Sequence, residues 1–159
     1  MAFNTILVKN YSDVFEEIDA GGTILPGMLL EETSSSTVVA HNSAGENALP
    51  MFAFEDELQG NGIDDAFATG DKVQVWIPGR GDQVYAILAD GENVAVGDLL
   101  ESNGDGYLKK HVAGSAGVVE FPLAVVGYAL EAVDLSGSSG EEGSSGVLGY
   151  AKRVLVRIV

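Results

Sequence analysis

The feature that most constrains this fold is how often short apolar runs are cut by turn residues. Lys72-Val73-Gln74-Val75-Trp76-Ile77 alternates polar and apolar positions until Pro78 stops it. Alternation with period two is the signature of a strand with one wet and one buried face. Nine further apolar-rich runs are bounded in the same way, at residues 5–8, 28–31, 37–40, 51–54, 83–88, 99–102, 107–110, 123–132 and 147–159. The chain's 21 glycines lie largely between such runs. An all-β domain needs many tight turns, and a helical bundle does not. Only residues 11–20 show helical spacing, with Val14, Phe15 and Ile18 following Ser12 as an N-cap. That segment ends at Gly21-Gly22, which limits it to one or two turns.

The turns carry topology. Pro78-Gly79-Arg80-Gly81-Asp82 and Asn103-Gly104-Asp105-Gly106 each lie between two strand patterns and read as hairpin loops. Residues 135–146, LSGSSGEEGSSG, are polar and low in complexity, as expected of a flexible Ser/Gly/Glu loop joining two long C-terminal strands. The last run, residues 153–159, ends the chain in a strand that serves the domain's own sheet. The resulting division is an N-terminal arm with the short helix at residues 1–20 and a single β domain at residues 21–159.

An internal repeat adds to this. Gly27-Met28-Leu29-Leu30-Glu31 matches Gly97-Asp98-Leu99-Leu100-Glu101 seventy positions later, and His41 matches His111 at the same offset. Pro50-Met51-Phe52-Ala53 then matches Pro122-Leu123-Ala124-Val125, two positions out of step. Shared order among several matches points to two related β units.

Charge limits the partners. The formal charge is −16, from 24 acids against 8 bases. Between Lys9 and Lys72 there are thirteen acids and neither lysine nor arginine. Phosphate backbones and anionic bilayers both repel such a chain, so no direct nucleic acid and no membrane partner is expected. No apolar run is long enough to span a bilayer, and residues 1–10 carry no secretion signal. The acids suit solubility or a face for a basic partner.

No catalytic constellation emerges, and the chain is read as a non-enzyme with no cofactor. It has no cysteine and two histidines, too few ligands for a closed zinc site. Glu55-Asp56-Glu57 and Asp64-Asp65 are dense enough to attract Ca²⁺ but lack the EF-hand register, and Asn103-Gly104-Asp105-Gly106 lacks the distal Glu. The serines at 34–36 and 136–145 have no nucleophile elbow, and no glycine-rich stretch forms a nucleotide cradle. Trp76, Tyr85 and Tyr107 could stack on a sugar, although aromatics on alternating strands more often anchor a core.

Three Gly-Asp turns, at Gly70-Asp71, Gly81-Asp82 and Gly97-Asp98, lead into strands. With Asn93-Val94-Ala95-Val96-Gly97-Asp98-Leu99-Leu100, Asn103-Gly104-Asp105-Gly106-Tyr107-Leu108 and Ala124-Val125-Val126-Gly127-Tyr128-Ala129-Leu130-Glu131, they form a motif order running from about Gly22 to the C-terminus. This order resembles the capsid decoration, or cement, proteins of tailed bacteriophages. The resemblance implies a small β-barrel, β-tulip-like or sandwich domain with at most one short helix. It also implies a virion protein on the outer capsid surface, bridging major capsid protein subunits as a homo-oligomer, with a trimer favoured. Phe3, Ile6, Leu7 and Val8 of the arm are the expected capsid contacts. The alternative is a phage tail, fibre or receptor- and glycan-binding β module.

Overall fold

The structure is a computed structural model and describes residues 4–9, 15–114, 120–137 and 147–159. The chain is all-β. Its strands are β1 (Leu7–Lys9), β2 (Phe15–Ala20), β3 (Leu30–Ser34), β4 (Thr37–Ala40), β5 (Phe52–Phe54), β6 (Lys72–Trp76) and β7 (Gln83–Leu88). They continue with β8 (Asn93–Val94), β9 (Leu99–Ser102), β10 (Leu108–Lys110), β11 (Val125–Ala129), β12 (Val133–Asp134) and β13 (Lys152–Ile158). Helical structure among the described residues is limited to a 3₁₀ turn at Glu57–Gln59, which the Asp56 side chain caps through Gln59 N.

Two five-stranded rings share one wiring. In the second, β7 pairs in parallel with β10, β10 with β9, β9 with β11, β11 with β13, and β13 returns to β7, closing a barrel. In the first, β2 pairs in parallel with β4, β4 with β3, and β6 joins β5 to β2. The remaining gap, between β3 and β5, is bridged by Leu29 opposite Phe52 and by Leu30 N donating to Met51 O at 2.8 Å. Chain order and strand direction agree at every corresponding step.

The backbone repeats in finer detail too. Gly27 N donates to Ala53 O and Gly97 N to Ala129 O, both at 2.8 Å. His41 N donates to Leu29 O and His111 N to Leu99 O. The side ladder that pairs Ile24 with Phe67 returns as the β8–β12 pairing of Val94 with Val133. The turn at Ala95–Asp98 places Gly97 at φ 92 and lets the Asp98 carboxylate accept from Ala95 N at 2.8 Å. Seventy residues earlier Gly27 sits at φ 94, and Met28 Sδ takes the place of the carboxylate opposite Leu25 N. Gly70-Asp71 and Gly81-Asp82 build the same turn, with Ala68 N and Gly79 N donating to the aspartates at 2.7 and 2.8 Å. A glycine with φ near +90° at the third position is what this geometry requires.

The structure departs from the sequence reading in two places. Residues 15–20 form strand β2, not a helix, and residues 11–14 lie outside the described residues. Phe15 and Ile18 fit helical spacing, but Ile18 and Ala20 alternate inward as a strand requires, and five cross-strand pairs with β6 settle the conformation. Pro78–Asp82 is not a hairpin loop. Both edges of β6 are taken by β2 and β5, and β7 is flanked by β13 on one side and by β1 and β10 on the other. A turn with one positive φ, at Gly81, also splays its flanking strands instead of folding them together. The segment therefore joins one barrel to the other. Asn103–Gly106 does close the β9–β10 hairpin. Of the Ser/Gly/Glu loop, residues 135–137 follow β12, and residues 138–146 lie outside the described residues.

Two apolar cores hold the barrels and lock them together. Leu88, Leu100, Leu108, Val126, Val154 and Val156 fill the second, into which Leu29, Phe52 and Trp76 reach from the first. Ile18, Ile24, Leu30, Val38, Val73 and Val75 fill the first, which receives Ile87, Leu148 and Ala151 in return. Each fully buried Leu, Ile or Phe stabilises the fold by about 1.5–3 kcal/mol, so neither barrel keeps its core without the other.

Candidate binding face

The repeat places two equivalent hollows, each beside the histidine that follows a barrel's third strand. Leu30, Glu31, Glu32, His41, Asn47, Ala48, Leu49 and Met51 line one, of about 260 Å³. The other, of about 280 Å³, is lined by Ala44, Gly45, Glu46, Glu101, His111, Val112, Gly114, Glu120, Phe121 and Ala124. Glu31 and His41 correspond to Glu101 and His111 at the offset of seventy. Together the hollows hold five glutamates and neither lysine nor arginine.

The two histidines have diverged. His41 is 3% exposed, with Nδ1 2.8 Å from Ser102 Oγ and Nε2 3.2 Å from the Asn47 carbonyl. A carbonyl only accepts, so Nε2 carries the hydrogen and the Ser102 hydroxyl donates to Nδ1. Both ring nitrogens are thus engaged in holding loop 42–47 and the second barrel to the first. Glu31 stands 3.9 Å from Nε2. His111 instead meets its own glutamate directly, with Nδ1 2.5 Å from Glu101 Oε2, while Lys109 Nζ lies 3.4 Å from Glu101 Oε1. Burial of Glu101 at 8% exposure calls for such partners.

The acids singled out in the sequence are occupied with structure. The buried Glu55 carboxylate accepts from Ile6 N at 3.0 and 3.2 Å. Asp64 meets the Arg153 guanidinium at 2.8 Å, and Asp65 closes the turn at Gly62 N. Asp105 accepts from Tyr107 N inside its hairpin. Among the described residues no three His, Asp or Glu side chains converge in a way that could hold a metal ion. The Ala95 N–H and then the Lys110 ammonium hold Asp98 below the usual carboxylate range, and hydrogen bonds from the Ser136 hydroxyl and N–H do the same for Asp134. Burial, with Asp105 nearby, pushes the Tyr107 phenol up.

The expected contact residues are dispersed. Phe3 lies outside the described residues. Ile6 is fully buried in the second barrel's core, and Leu7 packs half-buried against it; Val8 is half-buried. The arm is thus part of the fold at this point, with β1 pairing antiparallel to β7. Trp76 and Tyr85 are buried and Tyr107 is half-buried, so they make no sugar-stacking platform.

What spacing alone did not reveal is a ridge between the hollows. Ala48 N donates to Leu123 O at 3.0 Å, and Leu123 N donates to Asn47 Oδ1 at 2.9 Å. This cross-link sets Leu49 (67% exposed) beside Leu123 (55% exposed), with Val112 and Phe121 continuing the apolar surface into the second hollow. The repeat carried the only sequence signal: Pro50-Met51 and Pro122-Leu123 mark corresponding loops.

No family model matches the chain, and no curated protein matches it. Among solved structures it is similar to the N base of the head fiber protein gp8.5 of bacteriophage phi29, with 17% identity and a TM-score of 0.53. The match covers 92% of this chain and 93% of that one. The two chains therefore share an overall fold.

Proposed function

We propose that the chain is a structural protein of a phage virion, a twin-barrel base that seats on the outside of the head and reinforces the shell by bridging major capsid protein subunits. The observation that carries this reading is the likeness to a head fiber base over 92% of the chain; the motif order that resembles decoration proteins points the same way. The physics supports it. A protein that binds only the expanded lattice stabilises that lattice by mass action. Modest contacts suffice when many copies, or the subunits of a trimer, act together. Strong negative charge suits a surface that faces solvent and never meets the packaged DNA.

The test is co-sedimentation of the purified chain with expanded heads and, separately, with unexpanded procapsids. Saturable binding to expanded heads alone, with a higher temperature of head disruption, is the expected result. Absence of binding to both particles refutes the proposal.

A second reading is that the chain is the base of a longer projection that contacts a receptor or glycan. It is favoured by the neighbour being the base of a head fiber. Electron microscopy of virions carrying a tagged chain separates the two: a compact knob supports decoration, and a knob bearing an extended projection supports the fibre.

A further inference from the structure

We infer that the Leu49–Leu123 ridge, with an acid-lined hollow on each side, is the face that receives a lysine- or arginine-bearing segment of the shell protein. This rests on the seating proposed above and specifies which surface does the seating.

Several exposed apolar side chains gather along the ridge. The Ala48–Leu123 and Asn47–Leu123 hydrogen bonds bring the loops of Leu49 and Leu123 together, and Phe121, two residues before Leu123, lines the second hollow with Val112. Leu58, at 98% exposure on the 3₁₀ turn, belongs to a different surface, a hollow of about 330 Å³ that it lines with Leu7, Phe54 and Glu55–Glu57. Single exposed apolar residues are ordinary on protein surfaces, whereas a contiguous group rimmed by charge marks an interaction site.

Charge selects the occupant. Glu31 and Glu32 rim one hollow, Glu46 and Glu120 the other, and no lysine or arginine lines either. A second copy docking face to face would set these glutamates against each other, so a self-contact is disfavoured. A basic segment meets opposite charge on both sides. Volumes of about 260 and 280 Å³ fall below the usual range for drug-sized ligands, roughly 300–1,000 Å³, and suit one long side chain each. Lys and Arg fit such a place because their apolar stems can lie along Leu30, Met51 or Phe121 while the charged head reaches a carboxylate. Phe121 adds a ring face for a guanidinium. The ridge then covers the apolar part of the segment between two basic anchors.

The experiment measures binding of the whole chain to expanded heads stripped of their native copies, across a salt series. Leu49→Ser/Leu123→Ser is expected to weaken binding by more than about tenfold. Glu46→Gln/Glu120→Gln should flatten the salt dependence, and Leu58→Ser should leave both unchanged. Melting followed by Trp76 fluorescence checks that each variant is folded, and Leu49→Lys provides a second disruption should the serine pair unfold. If the wild-type chain binds and both ridge variants bind equally well, the face is elsewhere and the seating proposal stands. If the wild-type chain does not bind, the two fall together. Concentration-dependent dimers lost on Leu49→Ser/Leu123→Ser would assign the ridge to a second copy and overturn the inference.

Discussion

His41 of the first barrel and Ser102 of the second meet at 2.8 Å in the interior, so one side-chain hydrogen bond ties the third strand of one unit to the second strand of the other. Ser102 Oγ also accepts from Gly104 N at 3.1 Å. Ser102→Ala leaves the His41 Nδ1 and the Gly104 N–H without this partner, and the expected loss is about 1–3 kcal/mol. Urea unfolding followed by fluorescence of Trp76, the chain's one tryptophan, measures it. A change within about 0.5 kcal/mol would show that the bond does not tie the units together.

Arg153 should matter far more than its ion-pair partner. The guanidinium is 5% exposed and binds Asp64, the Pro26 carbonyl and the Ile63 carbonyl. Arg153→Met leaves the Pro26 and Ile63 carbonyls without this donor and should cost about 3 kcal/mol. Asp64→Asn removes a half-exposed charge and should cost roughly 1 kcal/mol or less. Equal losses would contradict the assignment of Arg153 to the carbonyls.

Loss of the Glu55 carboxylate should release the N-terminal strand selectively. Glu55→Ala deprives Ile6 N of its acceptor, at an expected cost of about 2 kcal/mol. Hydrogen exchange should speed up at residues 6–9 before any other part of the second barrel, and uniform acceleration would count against a local role.

Two glycine substitutions should differ sharply. A Cβ on Gly127 would lie 2.6 Å from the Arg157 carbonyl oxygen and 2.7 Å from Val156 Cγ1, whereas one on Gly22 would meet nothing within 4 Å. Gly127→Ala is expected to cost about 3 kcal/mol through overpacking at the β11–β13 pairing. Gly22→Ala should be neutral or stabilise by up to about 1 kcal/mol. Thermal midpoints of the two proteins decide the comparison.

Acid should weaken the fold in part through Asp98 and Asp134. Both carboxyls titrate below their ordinary value of 3.8 when folded, so the unfolded state takes up protons first as pH falls. Their stabilisation is fully present well above pH 3.8 and is lost as pH drops through the lower folded values. Asp98→Asn should make the acid limb of the stability–pH curve shallower and leave the neutral plateau's shape unchanged. An unaltered acid limb would remove Asp98 from the account.

The repeat was legible because the positions that build a barrel corner are demanding: Gly27 and Gly97 need positive φ, and Leu30 and Leu100 need burial. Alternation located most strands, with Thr37–Ala40, Gln83–Leu88 and Leu99–Ser102 ending where the patterns end. Strands β8 and β12 escaped because two-residue ladders leave no period. Strand β2 escaped because Phe15 and Ile18 sit at helical spacing, while its inward alternation shows only in the single pair Ile18 and Ala20. Closure was illegible at Pro78–Asp82, since whether a turn makes a hairpin depends on edges already occupied by distant strands. The ridge was illegible for a related reason: Leu49 and Leu123 meet only because two loops seventy-four positions apart cross.

The matching wiring of the two barrels has a consequence for how this surface can change. In a symmetric dimer every substitution appears twice, so the two copies of a site must stay alike. Two like barrels joined in one chain through Pro78–Asp82 are under no such requirement. His41 is an internal strut while His111 pairs with its glutamate at the wall of the second hollow, so one molecule carries two dissimilar versions of the same unit.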